Sequence, residues 1–203
     1  MRRPAVVLVL VLAAAVLAAR VPATAGPRAA RGAACGYERW PVKTLADPTW
    51  RTVRFAHRVP VTVAGLRALP ARPGTQTRRA RGVERTVYSV RAILVAAALE
   101  DDGDIHLELR DPRQPAATMI AELPDNRCTA GARPALRLQM ARARAAFVRA
   151  CGDPGATFAL YRPGAVVSLS GVGFFDRPHG QRGVAPNGIE LHPVLQLAAR
   201  RCG

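Results

Sequence analysis

Lysine is almost missing from this chain: Lys43 stands alone among 30 basic residues, the rest being arginine. Aromatic residues are scarce at 5%, so any core must be built mostly from Val, Leu, Ile and Ala. After an apolar run over residues 5–19, no stretch is apolar and long enough to span a bilayer. The four cysteines include no CxxC or other close pair, which argues against a thiolate zinc site. There is no GxSxG elbow, no phosphate-binding glycine loop, no HExxH helix and no Cys–His nucleophile spacing. The common motif-bearing hydrolases and nucleotide-binding enzymes are thereby excluded.

What the chain has in excess is positive charge, +16 in all. Such an excess attracts nucleic acid or another anionic ligand, so both are candidate partners. The arginines are scattered and not interleaved with aromatics. Together with abundant Ala, Gly and Pro they also match the bias of a GC-rich coding sequence, so charge alone does not name a partner.

Residues 1–25 read as a signal peptide: Arg2 and Arg3, the apolar run, then Ala23-Thr24-Ala25 as a small-x-small cleavage site. An uncleaved anchor is the rival reading, opposed by Arg20 and Pro22, which close the run early. The expected product is exported (periplasmic, cell-surface or extracellular) and has no stable membrane span. Residues 26–34 form a disordered leader and 35–82 an extension packed on a barrel that occupies 83–203. Within the extension, 71–82 reads as a mobile basic linker, and Trp40 as a lid on the core. For an exported chain, Cys35, Cys128, Cys151 and Cys202 predict two disulfides. Three connectivities are open. One would bracket a helix with Cys128–Cys151 and tie the ends with Cys35–Cys202.

From residue 86 the pattern is regular. Residues 86–99 are β-branched and apolar, long for one strand, and 100–103 (EDDG) signal a turn. Residues 104–110 alternate strictly, and 118–123 form a third strand. Residues 134–150 are the one convincing helix, with Pro134 in its first turn, a stripe of Leu136, Met140, Ala143 and Phe147, and Gly152 as a stop. Its arginines, Arg144 among them, read as a solvated surface. Residues 166–175, interrupted by Gly171 and Gly173, and 189–197 are the last strands. Three strands, a helix and two strands, with a long first strand, is the order of a mainly β, five-stranded OB-fold-like Greek-key barrel with one helix between strands three and four.

That fold places ligands against strands two and three, between the loops joining one to two and four to five. Those loops are 100–103, which holds Glu100, Asp101 and Asp102, and 175–188, which holds Asp176 and His179. The candidate set is Asp102, Asp104, His106, Glu122, Asp176, His179, Glu190 and His192. Asp104 with His106, and Glu190 with His192, have the i, i+2 spacing that shares one strand face. A carboxylate beside an imidazole either ligates a divalent metal or orients a general acid or base. These four are therefore the candidate catalytic and metal residues, with Asp176 and His179 as weaker ones on the loop. The competing reading makes Glu190 and His192 a buried pair that closes the barrel against Arg39 or Trp40. Two functions follow: a non-catalytic exported binding or structural domain, or a metal-dependent phosphodiester hydrolase acting on nucleic acid.

The stretches ERWPVKTLAD (38–47), DGDIHLEL (102–109), MIAELP (119–124) and GVGFFD…HG…APNGIELHPV (171–194) resemble a family of exported bacterial proteins. The resemblance implies a compact secreted β domain and brings no activity with it. The barrel order is also similar to that of thermonuclease-type nucleases. The paired aspartates, glutamate and two arginines around their calcium have no residue-by-residue match here, so that likeness rests at fold level.

Overall fold

The strand at 86–99 organises the molecule. In the computed structural model, which describes residues 35–202, it forms β2 (Thr86–Leu99). The signal peptide and leader lie outside the described residues. The extension contributes α1 (Trp40–Lys43), β1 (Arg54–Pro60) and α2 (Val63–Arg67), and a 3-10 turn at Val83–Arg85 leads from it into β2. After β2 come β3 (Ile105–Arg110), β4 (Thr118–Leu123), α3 (Pro134–Cys151), β5 (Ala159–Leu160), β6 (Val166–Phe175) and β7 (Ile189–Ala199).

Each half of β2 serves a different neighbour. Val87 to Ile93 pair antiparallel with β6, and Ile93 to Leu99 pair antiparallel with β3, with a register shift between Leu94 and Ala96. β3 then pairs with β4, β4 runs parallel to β7, and β7 returns antiparallel to β6. The circuit β2-β3-β4-β7-β6 closes on β2, giving the five-stranded OB-like barrel, with α3 between its third and fourth strands. β1 adds a parallel strand beside β2, and β5 a short antiparallel one.

Alternation explains why the barrel fills. Ile105, Leu107 and Leu109 on β3, Met119, Ala121 and Leu123 on β4, and Ile189 and Leu191 on β7 point into one apolar core. Ala143 and Phe147 of α3 join that core. Leu136 and Met140 join a second cluster with Leu45, Val53 and Val87, so the helix ties the extension to the barrel. Trp40 belongs to neither cluster: it is half-buried against Gly36, beside Asp102, so it is not the expected core lid. Gly171 and Gly173 sit where backbones meet. A β-carbon at Gly173 would lie 2.7 Å from the Val83 carbonyl oxygen, and one at Gly171 3.0 Å from that of Pro193. Opposite them β7 carries one extra residue between Leu191 and Val194, a bulge at His192-Pro193, whose peptide bond is cis.

Three expectations need correction. The disulfides are Cys35–Cys128 and Cys151–Cys202. The helix separates the two bridges; it is not bracketed by one of them. The first bridge fastens the start of the extension to a 3-10 turn (Asn126–Thr129) between β4 and α3, and the second joins the end of α3 to the chain just beyond β7. Disulfides of this kind persist outside the reducing cytoplasm. The 71–82 linker is not a free loop, because Arg79 is buried and reaches Asp47 at 2.8 Å. Arg144 is not purely solvated either: its guanidinium donates to the Leu123 carbonyl oxygen at 2.8 Å. Among the described residues, no helix is long and apolar enough to cross a membrane.

Candidate functional site: a buried carboxylate–histidine cluster

Side chains that alternate away from the barrel core do not meet water here. His106 stands opposite Glu122 across the β3–β4 pair, and Glu190 stands beside Ile120 across the parallel β4–β7 pair. One step along, His192 falls beside Glu122. The outer face of three neighbouring strands therefore carries His106, Glu122, His192 and Glu190, with Asp104 at the foot of β3. All five are buried. The extension covers this face through Lys43, and the 176–188 loop through Arg182.

His192 is the centre. Its Nε2 lies 3.3 Å from Asp104 Oδ2, and its Nδ1 lies 2.8 Å from Glu122 Oε2 and 3.4 Å from Glu190 Oε1. These are ion-pair distances without hydrogen-bond angles: Asp104 Oδ2, Glu190 Oε1 and both His192 ring nitrogens have no hydrogen-bond partner. The other Asp104 oxygen accepts the Asp125 backbone N–H at 2.8 Å. Next door, His106 Nδ1 lies 3.0 Å from Glu100 and 3.6 Å from Glu122. His106 Nε2 lies 2.9 Å from the Arg182 carbonyl oxygen, which assigns the proton of that nitrogen.

Charge state follows from these contacts. Burial alone would lower His192, but Glu122, Asp104 and Glu190 around it hold it well above its ordinary value. Burial would likewise lower His106, and Glu100 and Glu122 lift it to about 10. Glu122 resists burial and stays well below the usual carboxylate range because of His192, His106 and Lys43. Burial first, and the Glu122 charge second, push Glu190 up to about 7. Burial raises Asp104 despite His192 beside it, and burial with the Asp104 charge pushes Asp102 up to about 6.

Two donor sets have metal-ligand spacing, each with its ligand atoms within 4.8 Å of one another: Asp104, Glu122 and His192, and Glu100, His106 and Glu122. Glu122 belongs to both. Asp104, Glu190 and His192 thus come together, and His106 joins them through Glu122. Asp176 is brought in by another route, 3.2 Å from the Lys43 ammonium. His179 is not: it is exposed on the loop, 2.8 Å from the Arg177 carbonyl oxygen. The turn residue Asp102 holds the Asp104 backbone N–H at 3.0 Å. Neither Arg39 nor Trp40 closes the pair. Arg39 pairs with Glu84 instead, and the Phe174 ring separates it from His192.

Sequence reasoning missed Glu100, which contacts His106, and above all Lys43. Burial opposes its charge, yet Glu190, Glu122 and Asp176 around it raise its pKa further. The signal was visible as the one position where a basic residue is not arginine.

Fold and site together define an OB-like barrel whose usual ligand face is covered by its own extension and loop, over a sealed carboxylate–histidine cluster. No family model matches the chain, and no curated protein matches it. Among solved structures it is similar to an aspartyl-tRNA synthetase from Leishmania major Friedlin, with a TM-score of 0.41 and 10% identity, over 73% of this chain and 22% of that one. The chain thus spans under a quarter of that protein's length, and a likeness at this level says nothing of function.

Proposed function

We propose that this is an exported, non-catalytic binding domain that takes an anionic ligand. Export rests on the signal-like N-terminus and the two disulfides. The observation that carries the rest is where the molecule is open. The carboxylate–histidine cluster is sealed, with Asp104, Glu122, Glu190 and His192 each 5% exposed or less. A phosphodiester could not reach it without displacing the extension, which disfavours the hydrolase reading. An open concavity lies elsewhere, in a groove of about 650 Å³ between α3 and strands β6 and β7.

That groove is lined by Arg58, Arg142 and Arg149, with Ser168, Ser170 and Gln196 between them and no acidic residue. None of the three arginines has a carboxylate partner among the described residues. Converging guanidinium forks and hydroxyls in a concave site suit phosphate or sulfate groups.

Because a protein of this charge binds any polyanion weakly, the test must hold net charge constant. Fluorescence anisotropy with a labelled single-stranded oligonucleotide and with a sulfated oligosaccharide would compare two triple variants. One is Arg58→Ala/Arg142→Ala/Arg149→Ala; the other, as control, is Arg113→Ala/Arg177→Ala/Arg200→Ala. The groove variant should lose about tenfold or more in affinity for the true ligand class. Its salt slope should fall by about 1 for each arginine that makes a contact. The control should lose little. Equal losses from both variants would reduce the binding to bulk charge and overturn the reading.

A further inference from the structure

We infer that Asp104, Glu122 and His192 hold one divalent cation of the Zn²⁺ or Mn²⁺ class beneath the extension, with Glu190 beside them. The donor geometry is the first argument. Ligand atoms of Asp104, Glu122 and His192 lie within 4.8 Å of one another. Donors at about 2.0–2.3 Å from a shared ion stand about 3.3–3.8 Å apart in a tetrahedral set, so a contraction of at most about 1.5 Å in any one separation closes it.

Unsatisfied valence is the second argument, and it is independent of the first. Four polar atoms, Asp104 Oδ2, Glu190 Oε1 and both ring nitrogens of His192, are sealed from solvent with no hydrogen-bond partner. They face one another across 3.3 and 3.4 Å. Arg85 Nε is the one other such side-chain atom among the described residues, so the orphans are concentrated in a single place. Buried polar atoms are nearly always partnered; an ion takes only one nitrogen of an imidazole, and Asp104 Oδ2 with the His192 nitrogen facing it calls for a common partner. A cation supplies it.

Positioning is the third. Asp104 is held through its other oxygen by the Asp125 N–H, which leaves Oδ2 aimed at the cluster. Glu122 is steadied by His106 at 3.6 Å. Such outer contacts fix metal ligands in orientation. One imidazole with carboxylates and no thiolate suits a borderline cation. Mg²⁺, which keeps its waters, and Ca²⁺, which wants six to eight oxygens, fit a sealed three-residue set poorly. A hollow beside the cluster, lined by Glu100, Asp101 and Asp102, offers a carboxylate mouth for entry.

The test uses the tag-free exported chain, stripped with chelator and then given ZnCl₂, MnCl₂, MgCl₂ or CaCl₂. Zn²⁺ or Mn²⁺ should bind at one per chain by elemental analysis after gel filtration. The melting temperature should rise by about 5 °C or more, with little response to Mg²⁺ or Ca²⁺. His192→Gln should abolish both. If that variant fails to fold, the near-isosteric Asp104→Asn/Glu190→Gln pair serves instead. A network that merely shares protons predicts the contrary: no bound ion, and an Asp104→Asn/Glu190→Gln protein as stable as wild type with or without metal. That result overturns the inference, and so does undiminished metal stoichiometry in the variants.

Discussion

Two buried ionic regions flank the same extension, and they differ in one respect. At the Glu84 carboxylate every valence is filled, and the one buried orphan nearby is Arg85 Nε. That carboxylate accepts both Arg39 terminal N–H groups at 2.6 and 2.8 Å, the Ala80 N–H at 2.6 Å and the Phe175 N–H at 3.2 Å. Arg79 closes on Asp47 with two bonds, at 3.0 and 2.8 Å. Around His192, at comparable burial and with as many charges, four atoms are left without hydrogen bonds. Buried charge alone therefore does not mark a site, since structural networks bury charge as readily as functional ones. What separates the regions is leftover coordination. The Glu84 hub is complete by itself and locks the extension to the barrel; the His192 cluster is complete only with something added.

The sharpest way to break this comparison is to remove one member of each region. Glu84→Ala leaves Arg39 buried without its carboxylate, and should cost about 3–5 kcal/mol in urea unfolding. Asp104→Asn/Glu190→Gln removes repulsion as well as attraction and should cost far less in chelator. A large loss from that pair under metal-free conditions would make the two regions equivalent and end the distinction.

Next in size is the bridge that pins the extension over the cluster. Cys35 and Cys128 are 93 residues apart, so Cys35→Ser/Cys128→Ser frees a long loop in the unfolded chain and should cost about 2–4 kcal/mol. Hydrogen exchange would place the loss. Protection should fall over residues 35–44, above the His192 cluster, and hold near 80–84, where the Glu84 hub does the fastening. A uniform fall across the extension would show that the hub depends on the disulfide.

Much of this was legible in the sequence, and for a physical reason. Barrel strands alternate, so Ile105, Leu107 and Leu109 separate from Asp104 and His106 on inspection. The i, i+2 pairs named two of the three inferred ligands, Asp104 and His192, and Glu122 stood among the wider candidates. The extension was another matter. Its contacts follow no period: Arg39 reaches Glu84, Arg79 reaches Asp47 and Lys43 reaches Asp176 through the path of irregular chain. The disulfide pairing was hidden likewise, because cysteine spacing does not reveal which ends meet. His179, a weaker loop candidate beside Asp176, proved exposed, because nearness in a loop says nothing of direction.

The smallest expected effect concerns pH and the complete hub alone. Burial tends to raise the Glu84 carboxyl, but the Arg39 fork and the Ala80 and Phe175 N–H groups outweigh it and hold it below the ordinary value. In the unfolded chain Glu84 would titrate near 4.3. As pH falls toward and below that value the unfolded state takes up the proton first, so stability present at higher pH is progressively lost. Glu84→Gln lacks this proton. Its unfolding free energy should therefore depend less steeply on pH than that of wild type below about pH 5, and run parallel to it above. Parallel profiles throughout the acid range would mean that Glu84 titrates alike in both states, and that the hub draws its strength from packing instead of from charge.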